Sequence, residues 1–146
     1  MRKLQGQNRF CRREEVCMRY IEVQIRPAGA NPPIVVSHPR EAVRGGEEGE
    51  FIFWQIYSAN RKVKKVRIEF KSAEFFDPPR TFIEEKIKYP AAPDVSGTAC
   101  IWGRAPIKVR KPFRRDKYTV KGLNAKGTDD DVVVPLDPEI ITVPPR

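Results

Sequence analysis

Histidine, cysteine and long apolar runs are scarce in this sequence of 146 residues, and each scarcity excludes a class of protein. Metal sites built on imidazoles need two or three histidines, and any Ser-His or Cys-His catalytic system would depend on His38 alone. The three cysteines are an odd number, and Cys11 and Cys17 lie in a charged segment, so a disulfide framework is not expected. No apolar run resembles a signal peptide or a membrane span, which predicts a cytoplasmic protein with reduced thiols.

Leucine and alanine are also few, whereas β-branched residues are abundant. Valine and isoleucine together number 26, against 3 leucines and 10 alanines. Branching at Cβ restricts side-chain rotamers in helices and suits the pleated sheet. The composition therefore predicts an all-β protein, and a chain of this length buries a core without disulfides or metal.

The first eighteen residues differ in composition from the rest. Residues 1–18 are basic and poor in apolar side chains, which predicts an N-terminal arm and is compatible with a short helix at 12–18. Residues 19–26 then alternate strictly, with Ile21, Val23 and Ile25 on one face, as in a half-buried strand. The predicted domain organisation is a basic arm over 1–18 and a β-sandwich over 19–146.

Short strand patterns separated by turn residues continue along the chain. Residues 50–57 are apolar on both faces, which predicts a central strand covered on both sides, and Asn60 is expected to join it to residues 65–70 as a hairpin. Tyr118 is predicted to lie in the core, and Cys100 is expected to be a small buried residue beside Trp102. Further strand patterns lie at 34–37, 98–103, 107–109, 117–123, 132–136 and 140–143, and residues 82–89 are compatible with a strand or a helical turn. Seven or eight antiparallel strands in a sandwich or barrel are the expected result.

The C-terminal part carries a family resemblance. Tyr118-Thr119-Val120 followed by Leu136-Asp137-Pro138-Glu139-Ile140-Ile141 resembles the tail of small bacterial domains with a cupredoxin-like β-sandwich. The resemblance extends over residues 19–143 as a strand order, and it implies an antiparallel Greek-key sandwich, cupredoxin-like or immunoglobulin-like. Copper-binding members have an early histidine and a cluster of Cys, His and Met near the last strands, whereas none of these residues follows Cys100 here. The resemblance implies the fold without copper, and no cofactor is expected.

Positive charge is concentrated in three segments of a chain whose net charge is +9. Residues 104–121 contain eight basic residues against Asp116, residues 61–71 contain six against Glu69, and residues 1–13 contain five and no acid. Such segregation favours an anionic partner. The candidate contacts are Arg104, Lys108, Arg110, Lys111, Arg114, Arg115 and Lys117.

Several functions are compatible with this basic surface. The preferred hypothesis is a non-catalytic binding or structural subunit that docks on an acidic protein surface. A nucleic acid is the alternative, with Phe113 and Tyr118 stacking on unpaired bases, and anionic lipid headgroups are a third kind of partner. A metal or redox protein of the cupredoxin type is a further alternative, and simple protection of edge strands by charge is the plainest interpretation.

No catalytic or metal-binding residue is predicted, and no small-molecule substrate is evident. Ser37 and His38 are neighbours on an extended chain, so their side chains are expected to point to opposite faces rather than form a dyad. Residues 129–131 are three consecutive aspartates without the spacing of a calcium loop, and residues 45–46 are two glycines followed by glutamates that would repel phosphate. Glu84 and Glu85 are adjacent and do not suggest an acid and base pair.

Overall fold

A computed structural model describes residues 9–12, 16–44, 50–76, 78–92, 94–105, 114–124 and 131–143. These residues form ten strands and one short 3-10 turn, Ala73–Phe75, with no α-helix among them, so the prediction of an all-β protein is confirmed. Nowhere in these ranges is there a helix whose length and apolar character would take it across a bilayer. The strands are β1 Arg9–Arg12, β2 Val16–Ile25, β3 Ile34–Val36, β4 Arg40–Arg44, β5 Phe51–Ser58, β6 Lys65–Phe70, β7 Phe82–Lys86, β8 Gly97–Arg104, β9 Arg114–Leu123 and β10 Glu139–Val143.

The first sheet has the order β1-β2-β5-β8, and the short strand β3 also pairs with β2. Strand β2 runs parallel to β5, and Ile21 is the register partner of Trp54. Strand β8 is antiparallel to β5, which places Ile101 beside Trp54 on the other side. The apolar pattern of residues 50–57 therefore belongs to a central strand of this sheet, as the sequence predicted.

The second sheet has the order β4-β10-β9-β6-β7. Strand β10 runs parallel to β4 and antiparallel to β9, and the remaining pairs are antiparallel. Both sheets are therefore mixed, and the prediction of a wholly antiparallel architecture with seven or eight strands is wrong in these two respects. The strands that the sequence did not predict, β1 and β4, are short and rich in arginine, and polar and apolar residues hardly alternate in them. The Greek-key connections stay a prediction.

The inner faces of the two sheets share one apolar core. Strand patterns that the sequence assigned to the core are buried there on β2, β6 and β9, where Ile21, Ile68 and Val120 have 0% exposure. Trp54 on β5 meets Tyr118 on β9 edge to face, with ring centroids 5.6 Å apart. Because these rings come from opposite sheets, the architecture is a two-layer β-sandwich.

The turn at Asn60 does not form the predicted hairpin, because β5 and β6 belong to different sheets. It carries the chain across the sandwich, and Val63 in this crossing is completely buried. The Lys62 amide donates a 3.1 Å hydrogen bond to the Asn60 side-chain oxygen. The Tyr89 hydroxyl lies 2.7 Å from both Ser58 Oγ and the Asn60 carbonyl oxygen, so polar groups in the crossing are paired.

Two other local predictions fail. A helix at 12–18 is not formed, because residues 9–12 pair antiparallel with residues 16–19 and so extend the first sheet. Residues 132–136 form no strand and contact β9 through one isolated bridge, from Leu136 to Val120, because Pro135 lacks the amide that a continuous ladder needs. The division into an arm over 1–18 and a domain over 19–146 stays a prediction, and residues 107–109 lie outside the described ranges.

Candidate functional site

The predicted contacts for an anionic partner fall into three groups. Lys108, Arg110 and Lys111 lie outside the described residues, as does the side chain of Arg114, which begins β9. Arg115 and Lys117 are exposed and share the outer face of the second sheet. Arg104 ends β8 in the first sheet, where its guanidinium carbon lies 5.5 Å from the centre of the Phe51 ring. The structure thus brings two predicted residues together and places a third on the other layer.

The second sheet presents a lattice of charges to solvent, called here the basic face. Register partners across four strand pairs place cations and carboxylates side by side on this surface. The cations of the basic face are Arg40, Lys65, Arg67, Lys86, Arg115, Lys117 and Lys121, and the carboxylates between them are Glu69, Glu84 and Glu139. Sequence spacing did not reveal the contributions of β4, β7 and β10.

Most cations at the centre of the basic face are already paired. The pairs are Arg40 Nε with Glu139 at 3.3 Å, Lys65 Nζ and Arg67 Nε with Glu84 at 3.5 and 2.9 Å, and Lys121 Nζ with Glu69 at 2.8 Å. Exposed pairs of this kind contribute little to stability, up to about 1 kcal/mol each. Within the described ranges, Arg115 and Lys117 form no such ion pair. They are therefore two adjacent charges that a partner can neutralise without first breaking an ion pair.

The first sheet carries a row of aromatic rings on its outer side, which the sequence analysis missed. Tyr20, Phe53 and Trp102 are register partners across β2, β5 and β8. The Phe53 ring centroid lies 5.5 Å from that of Tyr20 and 4.3 Å from that of Trp102. Trp102 is 52% exposed and Phe53 is half-buried, so the prediction that residues 50–57 are covered on both sides is wrong for this side.

The surface around this row, the aromatic face, also holds Phe51, Tyr57, Cys100 and Arg104. Cys100 is exposed because it shares the strand parity of Trp102, and the prediction that it is buried is therefore wrong. Lys88 forms an isolated bridge with Thr98 of β8 and so adds an exposed cation to the same edge. A period-two pattern was visible in all these strands, but it did not indicate which face is inward.

Charged groups also lie inside one end of the sandwich. Arg19 Nε donates a 3.0 Å hydrogen bond to Glu50 Oε2, and Arg19 Nη1 lies 3.6 Å from Glu41 Oε1. The backbone amide of Arg44 donates to the same Glu50 oxygen at 3.0 Å. Both glutamates are only 4% exposed. This cluster links β2 to β4, and in the part of the chain that is described no group of three His, Cys, Asp or Glu side chains could hold a metal ion.

The pair Ser37 and His38 differs from its prediction. Ser37 Oγ lies 2.9 Å from His38 Nδ1, so the two side chains do approach each other. They do so because β3 ends at Val36, and strand alternation no longer applies beyond it. Ser37 Oγ also accepts a 2.8 Å hydrogen bond from the Glu22 amide, which gives the serine a structural role at the sheet edge.

Tyr118 is a core residue, as predicted, and so it is removed from the set of stacking candidates. It is 1% exposed, and burial raises the pKa of its hydroxyl, an effect to which the nearby Glu41 carboxylate adds. Phe113, the other ring proposed for stacking, lies outside the described residues, as do residues 45–46 and 129–130.

The chain matches no model of a known protein family and no curated protein. Sandwich architecture by itself does not determine function, because many unrelated activities occur on it. The functional interpretation of the basic face and the aromatic face therefore follows from the chemistry of their own residues.

Proposed function

We propose that the protein is a non-catalytic binding or structural subunit that docks on an acidic protein surface through the basic face. The observation that carries this proposal is the pair Arg115 and Lys117, exposed side by side and without an ion pair among the described residues. The sequence places further basic residues immediately before them, at positions 108, 110, 111 and 114. A net charge of +9 adds long-range attraction for an acidic partner.

An acidic protein fits the basic face better than a nucleic acid does. Stacking on bases needs exposed rings, whereas Tyr118 is buried, and the exposed ring of Phe82 already lies 4.9 Å from the Arg67 guanidinium carbon. The carboxylates Glu69, Glu84 and Glu139 alternate with the cations and would repel a continuous row of phosphates. A protein surface with its own mixture of charges can match such a lattice.

The non-catalytic character is part of the proposal. Support comes from the only histidine, His38, whose neighbour Ser37 uses its oxygen to hold the Glu22 amide. The buried Arg19, Glu41 and Glu50 cluster is likewise engaged internally, as expected of a group that orders the fold.

The experiment measures binding of fluorescent probes to the full chain by anisotropy over a range of salt concentrations. An acidic peptide rich in Asp and Glu should bind, and its affinity should fall steeply with salt. The double variant Arg115→Ala/Lys117→Ala should weaken this binding. The matched control, Arg26→Ala/Lys62→Ala, removes the same charge away from the basic face and should leave it nearly unchanged.

Two other probes separate the alternative partners. A DNA duplex and vesicles with anionic headgroups are titrated in the same way with the same variants. The proposal fails if the acidic peptide does not bind at low salt. It also fails if the duplex or the vesicles bind more tightly than the peptide and lose affinity in the Arg115→Ala/Lys117→Ala variant.

The cupredoxin-like fold and a cytoplasmic location belong to the same proposal. Two sheets around one core support the former, and the free thiol of Cys100 suits the latter. No copper centre is proposed, because a blue-copper site needs two histidines and one cysteine, while the sequence holds one histidine. A sample incubated with copper(II) should show no intense visible absorption, and such absorption would support the metal or redox alternative.

A further inference from the structure

Trp102 ends the row of rings formed by Tyr20, Phe53 and Trp102, and no described segment packs over its indole. The ring is 52% exposed, although a fully buried tryptophan, Trp54, lies on the neighbouring strand. The register places Phe53 and Tyr20 next to Trp102, at strand spacings of about 4.8 Å. The ring planes are tilted, by 57° between Phe53 and Trp102 and by 71° between Tyr20 and Phe53, and the exposed half of the Trp102 indole is accessible to a ligand.

Two described cations border this row at one edge of the sheet. Arg104 and Lys88 lie at the β8 edge, and Lys88 is opposite Thr98, six residues along the strand from Arg104. A strand rises about 3.4 Å per residue, so the two cations lie about 20 Å apart along the edge. The acid of this face, Glu22, is on the opposite side, where its carboxylate accepts a 2.7 Å hydrogen bond from the Gln24 amide.

We propose that the aromatic face binds single-stranded nucleic acid, with the phosphate backbone along β8 and the bases turned inward over the rings. Unpaired bases stack on aromatic side chains, and the phosphates require cations at the edge of the ring platform rather than within it. Lys88 and Arg104 supply these charges on the side away from Glu22. A duplex hides the flat surfaces of its bases, so it is a poor ligand for this surface.

The two faces thus differ in the ligand that each recognises. The basic face has cations interleaved with carboxylates, and the Arg67 guanidinium already lies over the ring of Phe82 there. The aromatic face has rings with two cations on one edge, a charge arrangement complementary to a single strand whose bases are free. An acidic peptide has no flat aromatic bases to stack on Trp102, and for this reason we assign the nucleic acid to the aromatic face.

Trp102 itself reports the binding. A short oligothymidylate is titrated into the full chain at low salt while tryptophan emission is followed. Stacking should quench the exposed Trp102 and leave the buried Trp54 unaffected, so the emission should fall in part. The Trp102→Ala variant should bind about tenfold or more weakly when binding is followed by anisotropy of a labelled oligothymidylate. Trp102→Phe keeps a ring and should recover part of the affinity.

Charge variants and a matched control complete the test. Arg104→Ala and Lys88→Ala should each lower the slope of log affinity against log salt by about one. Arg115→Ala/Lys117→Ala lies on the other sheet and should not change oligothymidylate binding. Trp102 is half-exposed and packs on Phe53, so Trp102→Ala should lower the urea midpoint but remain folded in the absence of urea, and this measurement separates a binding defect from misfolding.

Three results would overturn the inference. The first is no binding of oligothymidylate at low salt, and the second is binding that Trp102→Ala leaves unchanged. The third is an acidic peptide whose affinity depends on Trp102 in place of Arg115 and Lys117, which would make the aromatic face a protein-docking surface. The first two outcomes leave the proposal for the basic face intact, because that proposal depends on a different probe and different variants.

Discussion

Removal of Arg19 tests whether the buried ionic cluster holds the two sheets together. Arg19 on β2 contacts Glu50 at 3.0 Å and Glu41 on β4 at 3.6 Å, and its own side chain is 14% exposed. The Arg19→Met substitution keeps the apolar stem and removes the Arg19 cation from two carboxylates in the interior. Such a loss costs about 3–5 kcal/mol in the free energy of unfolding.

The expected cost lies at the lower end of that range, about 3 kcal/mol. The Arg44 amide still donates its hydrogen bond to Glu50 Oε2 and offsets part of the lost interaction. For a chain of this length, about 3 kcal/mol corresponds to a fall in Tm of roughly 6–12 °C. Urea unfolding followed by far-ultraviolet circular dichroism measures the free energy directly.

A double-mutant cycle separates the ion pair from other effects of the substitution. Glu50→Gln neutralises one of the carboxylates, so it should harm the Arg19→Met protein less than it harms the unmodified chain. The coupling free energy between the two sites should exceed about 1 kcal/mol. The exposed pair of Arg40 and Glu139 provides the control, and Arg40→Met should cost less than about 1 kcal/mol.

The reasoning is refuted if Arg19→Met and Arg40→Met cost the same. It is refuted equally if the Arg19→Met and Glu50→Gln effects are additive within error, since the buried cluster would then contribute no more than a surface pair.

Three further substitutions test the interior. Burial raises the pKa of Tyr118, so its hydroxyl ionises near pH 10 in the unfolded chain and only at higher pH in the folded chain. The free energy of unfolding should therefore fall above about pH 10. Tyr118→Phe should reduce this fall when urea midpoints are compared from about pH 8 to 11. At neutral pH the same variant should lose no more than about 1 kcal/mol, since the buried Tyr118 hydroxyl faces the Trp54 indole but makes no close hydrogen bond in the described ranges, and a larger loss would contradict this. Gly103→Ala would place a Cβ atom 2.7 Å from the Phe76 ring and should cost about 1–3 kcal/mol in urea unfolding, whereas a neutral result would mean that the ring moves aside. Tyr89→Phe removes the hydroxyl that holds the crossing at Asn60, which should cost about 1 kcal/mol and speed hydrogen exchange of the Val63 amide; unchanged exchange would contradict that role.

Alternation of side chains predicted the inner faces of three strands correctly. In β2, β6 and β9 one face is apolar and the other charged, so Ile21, Ile68 and Val120 had to point inward and Lys117 outward, as the structure has them. The pattern fails where both faces are apolar. In β5, Trp54 and Phe53 are equally hydrophobic neighbours, and only the position of the second sheet decides that Trp54 is buried.

The candidate surfaces were harder to predict, because they are built by strand pairing. Tyr20, Phe53 and Trp102 form a row only when β2, β5 and β8 are aligned in register, and these residues lie more than thirty positions apart. Likewise, Arg19 meets Glu41 and Glu50 only once the sheets have assembled. The sequence around a charged residue does not show whether an oppositely charged residue will be buried beside it.

The parallel pairing of β4 with β10 has a consequence for how the protein comes to its native state. Arg40 meets Glu139 across 99 positions of chain, and among the described strands β4 pairs with none other than β10, whereas β10 also pairs with the preceding strand β9. Contacts closed over such long loops form late and slow the overall folding rate. On the ribosome, β4 must therefore wait until nearly a hundred further residues are synthesised, and through that interval its edge is open to the wrong strand.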